Sequence, residues 1–201
     1  MAPGATLHLL VLVAQDRQCA GVDLASGALI RGWSREHPYG EITLYDVIEV
    51  TLDEDADAVP DPAQPEALSL TGPPRPVTRM TGRRCERMLR HLLHPKNEPL
   101  LGIVATAVPF WERRPDHPSI ALVEPDGPIT LLRDDGYLSC RFMWQNHERE
   151  LPCLDRNIAG QMDRSRRTWM TAGTQDRLLV ALTPPIDGRC HKVVEAVIPR
   201  P

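Results

Sequence analysis

Aromatic side chains are scarce in this chain, with four tryptophans, three tyrosines and two phenylalanines among 201 residues. So few rings limit the stacking platforms available to any ligand site, and some must serve the core. Lysine is rarer still, present only at 96 and 192, so nearly all positive charge is arginine. GC-rich coding explains that bias as readily as a demand for bidentate phosphate contacts. No apolar run approaches the roughly 20 residues of a membrane helix. The run Leu7–Ala14 suits a buried strand and has no basic segment before it, so neither a membrane span nor a signal peptide is expected. Close cysteine pairs are also missing. Cys19, Cys85, Cys140, Cys153 and Cys190 are odd in number and scattered, which argues for free thiols in a reducing, cytoplasmic compartment.

The motifs of common chemistries are absent as well. The chain has no Gly-x-Ser-x-Gly elbow, no Gly-x-x-x-x-Gly-Lys phosphate loop, no dinucleotide fingerprint, no Cys-x-x-Cys and no His-Glu-x-x-His. Cys85 and His94 fall on opposite faces of one predicted helix, and Cys190 and His191, adjacent in a strand, also face apart. Asp134-Asp135 beside Gly136 is turn chemistry. Asp53, Glu54, Asp55 and Asp57 stand in a proline-rich stretch too loose to preorganise a divalent ion. Neither catalysis nor a cofactor or metal is expected.

What is present is β structure punctuated by proline, of which there are 20. Leu7–Val13, Cys19–Leu24, Ala28–Trp33 and Leu44–Leu52 read as strands of a first unit, with Gly27 in a turn that admits a positive φ. Gly102–Val108, Ile120–Glu124, Ile129–Leu132, Leu138–Trp144 and Glu148–Asp155 read as strands of a second, and Leu178–Thr183 with His191–Ile198 as a closing hairpin. Between the units, Asp53–Pro76 holds six carboxylates and six prolines against the single base Arg75, and reads as a surface connector. Ile158–Met170 is ambiguous, an arginine-rich segment of helical character. From Thr81 to His94 the period becomes helical. Cys85, Met88, Leu89, Leu92 and Leu93 make an apolar face, opposite Arg83, Arg87, Arg90 and His94, with Arg84 and His91 beside them.

Charge follows the same division. Residues 1–74 carry three bases against twelve carboxylates, a net of −9, whereas residues 75–114 net +6 and the remainder −1. A basic centre in an acidic chain can attract phosphate without making the whole protein a polycation.

Short pieces spread over most of the chain form a further pattern. They are Cys19-Ala-Gly21, Ser26-Gly27, Ile30-Arg31-Gly32 and Gln64-Pro65-Glu66, then Ser119–Glu124, Arg141-Phe142 with a partner strand ending near Asp155, and Leu179–Leu182 with Gly188, Lys192-Val-Val and Ala196–Ile198. In these the sequence resembles the bacterial dual OB-containing domain family, two oligonucleotide/oligosaccharide-binding barrels in tandem. The resemblance implies a mainly β fold of two small OB-like antiparallel barrels with an intervening amphipathic helix. The first domain would span 1–95, its barrel built from 5–52, and the second 96–201. It also implies nucleic-acid or nucleotide recognition in a prokaryotic setting, with a place in antiviral defence.

Arg31, Trp33, Arg83, Arg84, Arg87, Arg90, Trp144 and Lys192 are the expected nucleic-acid contacts, arginines for phosphates and tryptophans for bases. The competing expectation is a protein–protein adaptor that docks a partner subunit through barrel grooves and charge asymmetry. Neither expectation involves a membrane.

Overall fold

The computed structural model describes residues 4–53, 63–114 and 116–201, so Glu54, Asp55 and Asp57 lie outside the described residues. The chain divides into two compact units, Met1–Leu92 and Leu93–Arg200.

In the first unit, β1 (Thr6–Gln15), β2 (Gln18–Asp23), β3 (Leu29–Ser34), β4 (Asp46–Leu52) and β5 (Ala67–Arg79) form a closed barrel of order β1-β2-β3-β5-β4. That is a five-stranded OB-like barrel. Alternation fills it: Leu9, Val11, Cys19, Ile30, Ile48, Val50 and Leu70 point inward, and Tyr39, from between β3 and β4, packs among them. Each such side chain contributes roughly 1.5–3 kcal/mol by leaving water. Asp23 closes the β2–β3 turn, accepting from the backbone N–H groups of Ala25 and Ser26 (3.2 and 3.0 Å) and from the Ser26 hydroxyl (2.6 Å). Burial works against the ionised form there, yet these hydrogen bonds outweigh it and hold the carboxyl below its usual range. Gly27 follows at φ +73°.

The structure corrects two expectations for this barrel. Its fifth strand comes from the second half of the supposed connector, and β5 runs parallel to β3, so the barrel is not wholly antiparallel. Three prolines hid the strand. Pro73, Pro74 and Pro76 lie beyond Leu70, where β5 no longer pairs with β3 and has β4 alone beside it, so their missing N–H groups have a free edge to face. The helix α1 (Gly82–His91) follows, with Cys85 and Leu89 buried. It is shorter than the periodicity suggests: Leu93 bridges Leu122 in the second unit, and the N–H of His94 donates to Leu122 O (2.7 Å).

The second unit contains β6 (Ala107–Pro109), β7 (Ile120–Val123), β8 (Thr130–Asp134), β9 (Tyr137–Trp144), β10 (His147–Pro152), α2 (Arg156–Ser165), β11 (Trp169–Thr171), β12 (Arg177–Leu182) and β13 (Arg189–Ile198). Its sheets run β10-β9-β8-β11 and β6-β13-β12-β7, a curled half-barrel, and the chain as a whole is mainly β, in keeping with tandem OB-like barrels. The closing hairpin pairs with β6 and β7 and so belongs to this unit. Of the strand expected at Gly102–Val108 only its end forms, because Leu101 and Gly102 adopt positive φ (59° and 70°) in a tight turn.

Asp155 ties α2 to β13. One carboxylate oxygen accepts from the N–H groups of Asn157 (2.9 Å) and Ile158 (3.1 Å) as the helix N-cap, and the other accepts from the buried N–H of Val197 (2.9 Å). Asp155→Ala removes a cap, about 0.5–2 kcal/mol, and orphans a buried donor, about 1–3 kcal/mol. We expect urea unfolding to show a loss of about 2–4 kcal/mol, with Asp155→Asn between the two. An alanine variant as stable as the parent would refute this assignment.

All five cysteines are buried free thiols. Burial pushes the Cys19 thiol up to about 11 and Cys153 up to about 12, and raises Cys140 as well, with the charges of Cys153 and Asp155 adding to it. Little thiolate exists at neutral pH, so native protein should resist iodoacetamide. In denaturant without reductant, mass spectrometry should count five alkylated cysteines; four protected ones would contradict the structure.

Candidate nucleic-acid interface

OB barrels present ligands to the face of their second and third strands and to the loops beside it. Here that face carries Trp33, 43% exposed, and half-buried Arg31. Antiparallel pairing sets Gln18 beside Trp33 and Ala20 beside Arg31, while the parallel partner sets Ser69 and Ala67 on the other side. Small and polar neighbours leave the indole face open. The loop between β1 and β2 is anchored, since Arg17 Nη1 donates to Arg35 O (2.8 Å) and Tyr39 N–H to Asp16 O (2.7 Å). At the β4–β5 side, the Ser69 hydroxyl donates to Asp53 (3.2 Å). A carboxylate at that position disfavours phosphate beside Trp33 and leaves the ring better suited to a base.

On α1, Arg83, Arg84 and Arg87 are exposed and make no ion pair among the described residues, whereas Arg90 is held by Glu86 (2.7 Å) one turn back. Three free cations thus remain of the expected stripe. His94 leaves it, because the helix ends at His91; its ring packs on Trp144 (centroids 5.9 Å apart) and its Nε2 lies 3.1 Å from Pro99 O.

Two expected contacts are corrected. Trp144, 1% exposed, is core, because Leu138, Cys140, Phe142 and Trp144 all take the inward face of β9. Phe142 and Trp144 stand two apart and so share a face of the strand, but alternation does not say which face is dry. Lys192, 5% exposed, points inward from β13 and donates to Ile103 O, so it does not sit on an outer surface.

The structure also brings out a surface in the arginine-rich segment Ile158–Met170. After α2 the chain turns at Arg166, in the left-handed region at φ 52°, and enters β11, the outer strand of its sheet. Arg164, Arg166 and Arg167 are exposed without ion pairs among the described residues, their acidic neighbour Asp163 being taken by Arg133. Trp169, 62% exposed, follows at once, and residues 166–171 line an open cleft of about 540 Å3. The available signal was the run Arg164-Ser-Arg-Arg-Thr-Trp169, arginine interleaved with an aromatic. Trp111 is exposed too, its ring edge-on to Phe110 with centroids 5.3 Å apart.

No cluster of three or more His, Cys, Asp or Glu side chains is placed to hold a metal ion among the described residues. No described helix is long and apolar enough to cross a membrane. The fold defines a class, a mainly β protein with an OB-like barrel, and its exposed arginines and tryptophans suit a polyanion with π-faces. No family model matches the chain, and no curated protein or solved structure does either.

Proposed function

We propose that this chain is a non-catalytic nucleic-acid-binding protein that holds single-stranded or structured DNA or RNA mainly through the backbone. The observation that carries the reading is the cleft of Arg166, Arg167 and Trp169: two guanidinium groups without ion pairs among the described residues, beside an open indole. Phosphates take the first and a base stacks on the second. Arg166 is a non-glycine residue at a left-handed helix end, a conformation that costs about 1–2 kcal/mol and is commonly left to glycine. The arginines of α1 and Trp33 on the barrel face supply the same chemistry in the first unit. The likeness to dual OB-containing proteins adds a setting, a subunit of a prokaryotic defence system.

The test is fluorescence anisotropy with labelled single-stranded and duplex oligonucleotides at low and physiological salt. Binding should be modest, saturable and steeply weakened by salt. A second reading, a protein–protein adaptor, has its own support in the exposed Phe110–Trp111 pair. Absence of oligonucleotide binding at low salt refutes the first reading and leaves the adaptor.

A further inference from the structure

Lys192 is a cation placed where no counter-charge meets it among the described residues. Its backbone is fixed in β13, its N–H donating to Thr106 O (2.8 Å), so the side chain is held against a cavity of about 70 Å3. Leu100, Ile103 and Leu151 supply apolar wall. Gln145 closes one side, its amide nitrogen donating to the carbonyls of Lys96 and Glu98 (2.8 Å each). The one other charged side chain in the lining is Arg149, also a cation, which makes no ion pair among the described residues. Three carboxylates near by are engaged elsewhere, Glu148 and Glu150 by Arg141 and Asp126 by Lys96.

Two cations in one small, partly apolar cavity repel each other and lose hydration, which is costly unless an anion joins them. Burial, with the charge of Arg149 adding to it, pulls the Lys192 amine down to about 8, although the amine still donates to Ile103 O. The volume holds several waters and therefore a compact anion of a few heavy atoms.

We infer that this cavity is a binding site for a small oxyanion, a carboxylate or phosphate on a short apolar body, held between Lys192 and Arg149. The site lies wholly within the second unit and does not depend on the nucleic-acid reading.

The rarity of lysine makes the test direct. Protein labelled with 13C at lysine Cε should give two signals, and Lys96→Arg assigns them. Sodium butyrate and inorganic phosphate are titrated separately against sodium chloride at matched ionic strength. We expect one of the two oxyanions to shift the Lys192 signal saturably, with one site per chain, while the Lys96 signal stays still. Arg149→Leu should weaken that binding at least about tenfold, as loss of one close charge pair requires, and it leaves Lys192 in place should Lys192→Met fail to fold. Signals of Lys192 and Lys96 that drift alike, or a saturable shift undiminished in Arg149→Leu, would overturn the site. Displacement of the bound anion by an excess of oligonucleotide would overturn its independence, making it part of a nucleic-acid surface.

Discussion

Gly21→Ala should destabilise the first barrel by about 3 kcal/mol or more, although it adds a single methyl group. Gly21 lies in β2 opposite Val11, where β1 is irregular between Val11 and Val13. A Cβ at this position would stand 2.4 Å from Leu10 O and 3.1 Å from Leu10 C. Both atoms are backbone of a neighbouring strand, and moving them means breaking the ladder that closes the barrel. Its φ is not in the left-handed region, so space and not conformation demands glycine. In a unit of this size the loss corresponds to a fall in melting temperature of roughly 12–24 °C. Two other glycines calibrate the claim. At Gly32 the added Cβ meets the end of the Leu70 side chain at 2.3 Å and Cys19 Sγ at 3.0 Å, side-chain atoms that can give way, so Gly32→Ala should cost less. At Gly40 it meets nothing within 4 Å, and Gly40→Ala should be silent. Calorimetry on the three variants decides the matter. If Gly21→Ala melts with the parent, or Gly40→Ala falls as far, the close approach is not what the structure says.

The second large effect concerns binding, where charge and stacking leave different signatures. Each phosphate neutralised on a single strand contributes about −0.7 to the slope of log affinity against log salt. Arg166→Glu with Arg167→Glu should flatten that slope by about 1.4 and weaken binding on every sequence tested. Arg83→Glu with Arg87→Glu probes the first unit in the same way. Trp169→Ala should instead cost about 1–3 kcal/mol, roughly 5- to 150-fold in affinity, with the slope unchanged. All of these side chains are exposed, so far-ultraviolet circular dichroism should be unaltered. Double reversals at both places that bind like the parent would end the backbone reading. A tryptophan variant that alters only the salt slope would end the stacking one.

Much of the fold was legible because unbroken apolar runs between turn residues mark strands covered on both faces. Leu7–Val13 and the two strands of the closing hairpin can be read directly as near-continuous apolar runs, and they are buried nearly throughout; the Asp23–Gly27 turn can be read because turns need Asp and Gly. The apolar face of α1 was equally plain, with Cys85 and Leu89 buried. Its end was not, since Leu92-Leu93-His94 continues the helical pattern and the bridge of Leu93 to Leu122 interrupts it. The candidate site divides in the same way. The sequence determined that arginine would be the cation, that few rings could stack, and that Arg83, Arg84, Arg87 and Arg90 would lie away from the apolar face of α1; it did not show that Glu86 holds Arg90 or that His94 falls beyond the helix.

Tertiary structure alone decided which face of each strand is dry, and so made Trp144 core while leaving Trp33 and Trp169 open. It placed Lys192 against a cavity, because the register of β13 with β12 and β6 lies in no local pattern. It also drew β5 out of a proline-rich stretch. Proline forbids a strand only where its missing N–H must be paired, and that depends on which neighbours the closed barrel supplies. Local residues fixed propensity and period; long-range pairing chose the partners and hence the surface.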